Sequence, residues 1–210
     1  MNKLGDLSCN EFLTELASAA PAPGGGGGAA MAGALAAALA SMVANLTIGK
    51  EKFADREPEV KELLEQAEAE RVRLLTLVDE DAAVFNSFMS CYKLPKTTDE
   101  EKDARTAAIR AAAKQAATVP LNIARSSFAV LKLADRLVVS GNPGVITDGA
   151  CSGLLARAAL RCAEYNVRIN LGLTKDEAWN AQATADLKQL LADAEALETH
   201  LLAVTDKALQ

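Results

Sequence analysis

Two acidic side chains in this sequence are placed where they could move protons. Asp81 lies on a helical stripe with Val78 and Phe85, and a carboxylate on such an apolar face is costly to bury unless it is partnered, protonated or functional. Asp148 ends a glycine-bearing loop at the start of a predicted helix. A positioned carboxylate at either place would contribute about 10²–10⁴-fold by general acid–base catalysis. A structural ion pair for Asp81 and a helix N-cap for Asp148 are the competing interpretations.

A run of glycines is the second feature suited to chemistry, in this case to binding. Residues 24–28 are five consecutive glycines, followed by an alanine-rich helix predicted to end near Ile48. No charged side chain occurs between Glu15 and Lys50, so we expect protein to surround this helix on all sides. The glycines would leave its first N–H groups open at the positive end of the helix dipole, which suits an anionic or carbonyl ligand. A flexible linker is the alternative, which the buried helix argues against.

The overall composition restricts the classes of partner. The 210 residues carry a formal net charge of −6 and a pI near 5.0, which argues against nucleic acid or an anionic membrane as the main partner. The alanine-rich helix gains too little from transfer into lipid to favour a membrane span, and acidic residues precede it, so we expect a cytoplasmic protein. One histidine and four cysteines without a CxxC pair predict neither a metal site nor a Ser-His-Asp triad. We expect the four thiols to be reduced and mostly buried.

The hydrophobic periodicity predicts an all-α fold, a single-domain bundle over residues 1–210. No stretch shows the period-two alternation typical of strands, and about seven helices are predicted, with the alanine-rich one at the centre. Pro120 is expected to separate a helix that ends at Thr118 from the next one. Asn166 and Asn170 are four residues apart on one helix and therefore share a face. Long apolar seams in a chain of this length indicate that some faces are buried against a second subunit.

Several short motifs occur in one order along nearly the whole chain. They are Pro21-Ala22-Pro23-Gly24-Gly25-Gly26, Leu46-Thr47-Ile48-Gly49-Lys50, Asp81 with Phe85, Leu94-Pro95-Lys96, Val119-Pro120-Leu121, Gly141-Asn142, Asp148 and Asn166-Val167-Arg168-Ile169-Asn170-Leu171. Together they resemble the formiminotransferase-cyclodeaminase C-terminal family, also called the cyclodeaminase/cyclohydrolase family. Each motif alone is weak, but the ordered set is specific. The chain looks like the stand-alone bacterial form, without the transferase domain of the bifunctional animal enzyme.

The resemblance implies an all-helical homodimer that acts on one-carbon derivatives of tetrahydrofolate, polyglutamylated forms included, without a metal or a further cofactor. One family reaction converts 5-formiminotetrahydrofolate to 5,10-methenyltetrahydrofolate with release of ammonia. The other hydrolyses 5,10-methenyltetrahydrofolate to 10-formyltetrahydrofolate. The chain has Gly27 and Gly28 where relatives commonly have serine, and Thr147 where serine usually precedes the aspartate. These departures leave the choice between the two reactions open.

The matching positions define the predicted site. Asp148 is the first catalytic candidate because it aligns with the family aspartate, and Asp81 is the second. Lysines in two motifs are candidates for binding the glutamate tail, although ordinary surface lysine is the alternative. The asparagine pair either reads the amide edge of the pterin or forms hydrogen bonds between helices in the core. The predicted substrate-binding set is Gly24, Gly25, Gly26, Thr47, Lys50, Lys96, Asn142, Asn166 and Asn170.

Two other functions fit the same residues. A non-catalytic helical interaction module would use the long seams to bind a protein partner. A binder of another small anionic metabolite would keep the glycine-lined site and change the ligand.

Overall fold

The computed structural model describes residues 3–210 and confirms an all-α, single-domain bundle. Within that range there are six α-helices and no β-strand. The helices are α1 Cys9–Leu16, α2 Gly25–Asn45, α3 Glu57–Cys91, α4 Asp99–Ser140, α5 Ile146–Thr174 and α6 Glu177–Ala208. Short 3₁₀ segments cover Leu4–Asp6, Glu51–Phe53 and Pro143–Val145.

The alanine-rich helix α2 lies at the centre of the bundle and packs against α3, α4 and α5. Its buried face consists mainly of alanine and glycine, so the neighbouring helices supply the large side chains, as predicted. The largest of these are Leu74 from α3, Ile123 and Leu131 from α4, and Leu160 from α5, each fully buried. α2 is long and apolar enough to cross a membrane, but 61% of its most apolar window is buried within the protein. Packing inside the bundle therefore accounts for most of its apolar sequence.

One face of α2 is open to solvent, so the expectation that protein surrounds this helix on all sides is wrong for the single chain. Leu35 and Met42 on this face are 55% and 42% exposed. The helix α5 packs beside α2 and exposes Leu154, Tyr165 and Ile169. We call these five residues the apolar stripe. No charged residue of α2 interrupts it, because α2 contains none.

The four cysteines are free thiols, but the prediction that most are buried is wrong. Cys9, Cys151 and Cys162 are exposed, and Cys91 is half-buried. Cys151 and Cys162 lie on the outward side of α5, among the residues of the apolar stripe. These two thiols are therefore exposed for the same reason as the apolar stripe: no other described helix of the chain covers this side of α5.

Helix α4 passes through Pro120 without a break, which reduces the predicted seven helices to six. A proline has no N–H to donate to the carbonyl four residues earlier, here that of Ala116. The side-chain amide of Asn170 on α5 donates to this carbonyl instead, at 3.0 Å. The orphaned acceptor is thus satisfied from a neighbouring helix, and α4 can continue. The predicted capping box of Thr98 and Glu101 starts α4, as expected.

Candidate active site

A cavity of about 360 Å³ opens at the N-terminal end of α2, a size typical of small-molecule sites. Four helices and the segment before α2 contribute to its lining. The polar groups are the backbone of Gly24, Gly25 and Gly26, the carboxyl of Asp81 from α3, and the amides of Asn166 and Asn170 from α5. The structure therefore brings together six of the residues predicted from the sequence.

The carboxyl of Asp81 lies directly against the glycine run. A Cβ added to Gly26 would lie 2.2 Å from Asp81 Oδ1, a distance that real Cβ atoms essentially never show, so only glycine allows this approach. The Gly27 N–H donates to the carboxylate, and Gly24 at the N-cap has no side chain to compete for the helix N–H groups. Burial raises the pKa of Asp81 above its ordinary value, and the Gly27 hydrogen bond opposes this effect. No ion pair joins Asp81 to another described residue, so the structural ion pair considered for it is wrong.

The two asparagines of α5 line the cavity opposite Asp81. Asn166 Nδ2 donates to Cys162 O at 2.9 Å, and its amide would lie 3.4 Å from a Cβ on Gly25. Asn170 Nδ2 donates to Ala116 O and to Asn166 O. Hydrogen bonding between helices, one of the two predicted roles, is therefore present for Asn170. Both asparagines also line the cavity, and their predicted contact with the pterin stays a prediction.

Aromatic and aliphatic side chains form the remaining walls of the cavity. Phe85 and Phe88 follow Asp81 by four and seven residues on α3, and Pro120 and Ile169 close the other sides. Phe85 was predicted on the helical stripe of Asp81, and neither phenylalanine was assigned to the site. Their helical spacing from Asp81 was the signal that could have located them.

Four of the remaining predicted residues gather at the opposite end of the bundle: Thr47, Lys50, Asn142 and Asp148. Asp148 and Asn166 are 18 residues apart on α5, which corresponds to about 27 Å along the helix. Asn142 N donates to Thr47 Oγ1 at 2.8 Å, and Asn142 Nδ2 donates to Leu46 O at 3.1 Å. These bonds fasten the loop before α5 to the end of α2, near the exposed Lys50. Within one chain, none of these predicted residues lines the cavity.

Asp148 is half-buried in the first turn of α5 and is not its N-cap. The N-cap residue is Val145, and no side chain caps the helix start. The alternative interpretation of Asp148 as a cap is therefore wrong. The carboxylate is still favourably placed beside the positive end of the α5 dipole.

Lys96 is exposed in the connection between α3 and α4, beyond the end of the helix that carries Asp81. It lies at the same end of the bundle as the cavity and does not line it. Among residues 3–210, no group of three or more His, Cys, Asp and Glu side chains is arranged to hold a metal ion.

Comparison with known proteins agrees with this architecture. Residues 8–189 match the family described as formiminotransferase-cyclodeaminase. A methenyltetrahydrofolate cyclohydrolase from Methylorubrum extorquens is 44% identical over 197 residues, which cover 94% of this chain and 95% of the relative. A formimidoyltransferase-cyclodeaminase from Sus scrofa is 34% identical over 183 residues. The matched region covers 87% of this chain but only 34% of that longer protein.

A solved structure extends the agreement to three dimensions. The formiminotetrahydrofolate cyclodeaminase from Thermotoga maritima superposes with a TM-score of 0.88 at 29% identity, over 98% of both chains. The motif resemblance, the matched residues and this superposition all point to the same family. The chain belongs to the formiminotransferase-cyclodeaminase family.

Proposed function

We propose that this protein acts in tetrahydrofolate one-carbon metabolism and hydrolyses 5,10-methenyltetrahydrofolate to 10-formyltetrahydrofolate. The observation that carries the proposal is the half-buried carboxyl of Asp81, held against the glycine start of α2 within a cavity with aromatic walls. The M. extorquens protein named for this activity matches over nearly its full length. A carboxylate is suited to this substrate because the methenyl carbon lies in a cationic amidinium.

The proposed mechanism uses Asp81 as a carrier of one proton. Its negative charge stabilises the cationic carbon, and it accepts a proton from water as the new C–O bond forms. The proton then passes to the departing ring nitrogen as the C–N bond breaks, while the hydroxyl proton leaves to solvent and the formyl C=O forms. The raised pKa of Asp81 favours both transfers, because it brings the proton affinity of the carboxyl closer to working pH.

Cyclodeamination of 5-formiminotetrahydrofolate is the second candidate reaction, supported by the superposition on the T. maritima cyclodeaminase. In this reaction a substrate nitrogen attacks the formimino carbon, and ammonia leaves from the tetrahedral centre. The attacking nitrogen must lose a proton and the departing nitrogen must gain one. Asp81 can carry that proton by the same in-and-out transfer.

We further propose that the protein works as a homodimer joined through the apolar stripe. Leu35 lies near the middle of α2, so a two-fold axis close to it would run two α2 helices antiparallel. The glycine end of one subunit would then face the opposite end of its partner, where Thr47 and Asp148 lie. This arrangement would give Asp148 of the partner subunit a role at the cavity, which a single chain does not permit. Helix α2 contributes no charged side chain to the stripe, so two α2 helices meet there without like-charge repulsion, whereas on α5 the exposed Arg168 lies over the Tyr165 ring.

Parallel assays of both substrates test the proposed function. The purified wild type should consume 5,10-methenyltetrahydrofolate above the uncatalysed rate, release ammonia from the formimino compound, or do both. Asp81→Asn should reduce the rate by about 10²–10⁴-fold. Glu80→Gln is the matched control, since Glu80 is an exposed carboxylate on the same helix and should be dispensable. A folded wild type without either activity would refute the proposal.

A further inference from the structure

Helix α4 and Asn170 are linked by an unusual hydrogen bond. Pro120 lies inside α4 and lacks the N–H that would normally bond the carbonyl of Ala116. Ala116 lines the cavity, and the partner of its carbonyl is Asn170 Nδ2 at 3.0 Å. The proline therefore leaves an acceptor in α4 that the residue four positions later cannot satisfy, and a side chain from α5 does so.

A second hydrogen bond occupies the other N–H of the Asn170 amide. Nδ2 also donates to Asn166 O at 2.8 Å, so both N–H bonds of the amide are directed at backbone carbonyls. Rotating the amide by half a turn would place its oxygen against two carbonyl oxygens, which is repulsive. The orientation of Asn170 is thus determined by two acceptors, one of which exists because residue 120 is proline.

The remaining polar atom of Asn170 is its Oδ1, a hydrogen-bond acceptor with no amide proton of its own. Asn170 is half-buried and lines the cavity near Asn166 and the glycine start of α2. A cavity that presents this oxygen selects a ligand with an N–H donor. The reduced pterin of the proposed substrate carries such donors on its amide edge.

We propose that Asn170 accepts a hydrogen bond from an N–H of the pterin, and that Pro120 is a positioning residue that fixes the amide for this role. The proposal rests on the proposed function for the identity of the ligand. It assigns Pro120 a purpose in a helix interior, where proline is otherwise costly. It also assigns Asn170 two roles that can be separated by mutation.

A set of three variants separates them. Asn170→Leu keeps the approximate shape of the side chain but removes its hydrogen-bond donor and acceptor. It should lower Tm because Ala116 O loses its partner. It should also raise KM about 2- to 12-fold with kcat nearly unchanged. Pro120→Ala restores a backbone N–H to Ala116 O and should raise Tm. It should also raise KM, because the Asn170 amide loses one of the two acceptors that orient it; an unchanged KM would refute the positioning role of Pro120. In the double variant Tm should stay close to that of Pro120→Ala, because the backbone now satisfies the carbonyl.

The KM of the double variant decides the proposal. If Asn170 binds substrate, KM should remain about 2- to 12-fold above that of the wild type even though stability is restored. If KM instead returns to the wild-type value, Asn170 is structural only and the proposal is wrong. If Asn170→Leu lowers Tm by the same amount in the wild type and in Pro120→Ala, the proposed link between Pro120 and Asn170 through Ala116 O is wrong. A wild type that fails to act on either folate refutes the proposed function and the acceptor role together, while the Tm values still decide the link.

Discussion

The contact between Gly26 and Asp81 gives a sharp test of the site through a single added methyl group. In Gly26→Ala the new Cβ would lie 2.2 Å from Asp81 Oδ1 and 2.6 Å from the other two carboxyl atoms. Ordinary van der Waals contact begins at 3.4 Å, so the carboxyl must move by about 1 Å. The carboxyl ends a short, rotatable side chain, so we expect it to move while the helices stay in place. Misplacing a reacting group by this amount costs about 10²-fold in rate.

Stability and activity should therefore change independently in this variant. Alanine is favoured over glycine within a helix by about 1 kcal/mol, which offsets the local crowding. We expect Gly26→Ala to keep its Tm within a few degrees of the wild type and to lose about 10²-fold in kcat/KM for methenyltetrahydrofolate. Differential scanning fluorimetry and a steady-state assay on the same preparation measure both quantities.

Gly28→Ala is the matched control on the same helix. A Cβ at Gly28 would have its nearest neighbour, Leu16 Cδ2, at 3.9 Å, which is ordinary van der Waals contact. This variant should be as stable as the wild type or more stable, with unchanged activity. If Gly26→Ala retains activity within about twofold of Gly28→Ala, the carboxyl position does not govern the reaction and the reasoning is refuted.

Three further predictions concern charge and assembly. Partial burial raises the pKa of Asp81, so ionising this carboxyl costs stability as the pH rises from the ordinary pKa of 3.8 through the raised value. The Tm of Asp81→Asn should therefore exceed that of the wild type increasingly above about pH 4, and a Tm difference independent of pH would contradict the raised pKa. Mixing unfolded Asp81→Asn and Asp148→Asn chains and refolding them together should recover about a quarter of wild-type activity if each site uses Asp81 of one subunit and Asp148 of the partner subunit, because half the dimers are mixed and each has one intact site. No recovery would reject the shared site. Lys96→Ala should raise KM for a polyglutamylated substrate at low salt, and the difference should shrink in about 1 M salt; an effect insensitive to salt would exclude a charge contact.

The sequence was sufficient to predict the buried helix and one half of the site. The charge-free segment before Lys50 predicted a central α2, and an acidic residue on an apolar stripe predicted a special role for Asp81. Each of these two predictions concerns a single helix, and the hydrophobic periodicity of a helix can be read from its own sequence. The proximity of Asp81 to Gly26 is a property of two helices and needed the structure.

The errors came from contacts between distant parts of the chain. Pro120 was predicted to end a helix, and the prediction failed because Asn170, 50 residues later, satisfies the carbonyl that the proline leaves unpaired. The grouping of Asp148 with Asp81 stays a prediction: within one chain α5 separates Asp148 from the cavity by most of its length, and the proposed dimer is what would bring the two together. Local spacing contains no information on which ends of two long helices meet.

The fit of Asp81 against a bare backbone also restricts how this sequence can diverge. A side chain at position 26 is incompatible with the carboxyl at position 81 as it is placed here, so the two positions cannot vary independently. Lineages that retain the acid should retain glycine at position 26, while those that have lost the acid are free to accept alanine or serine there. Loss of the glycine would then mark, from sequence alone, homologues that have abandoned this chemistry.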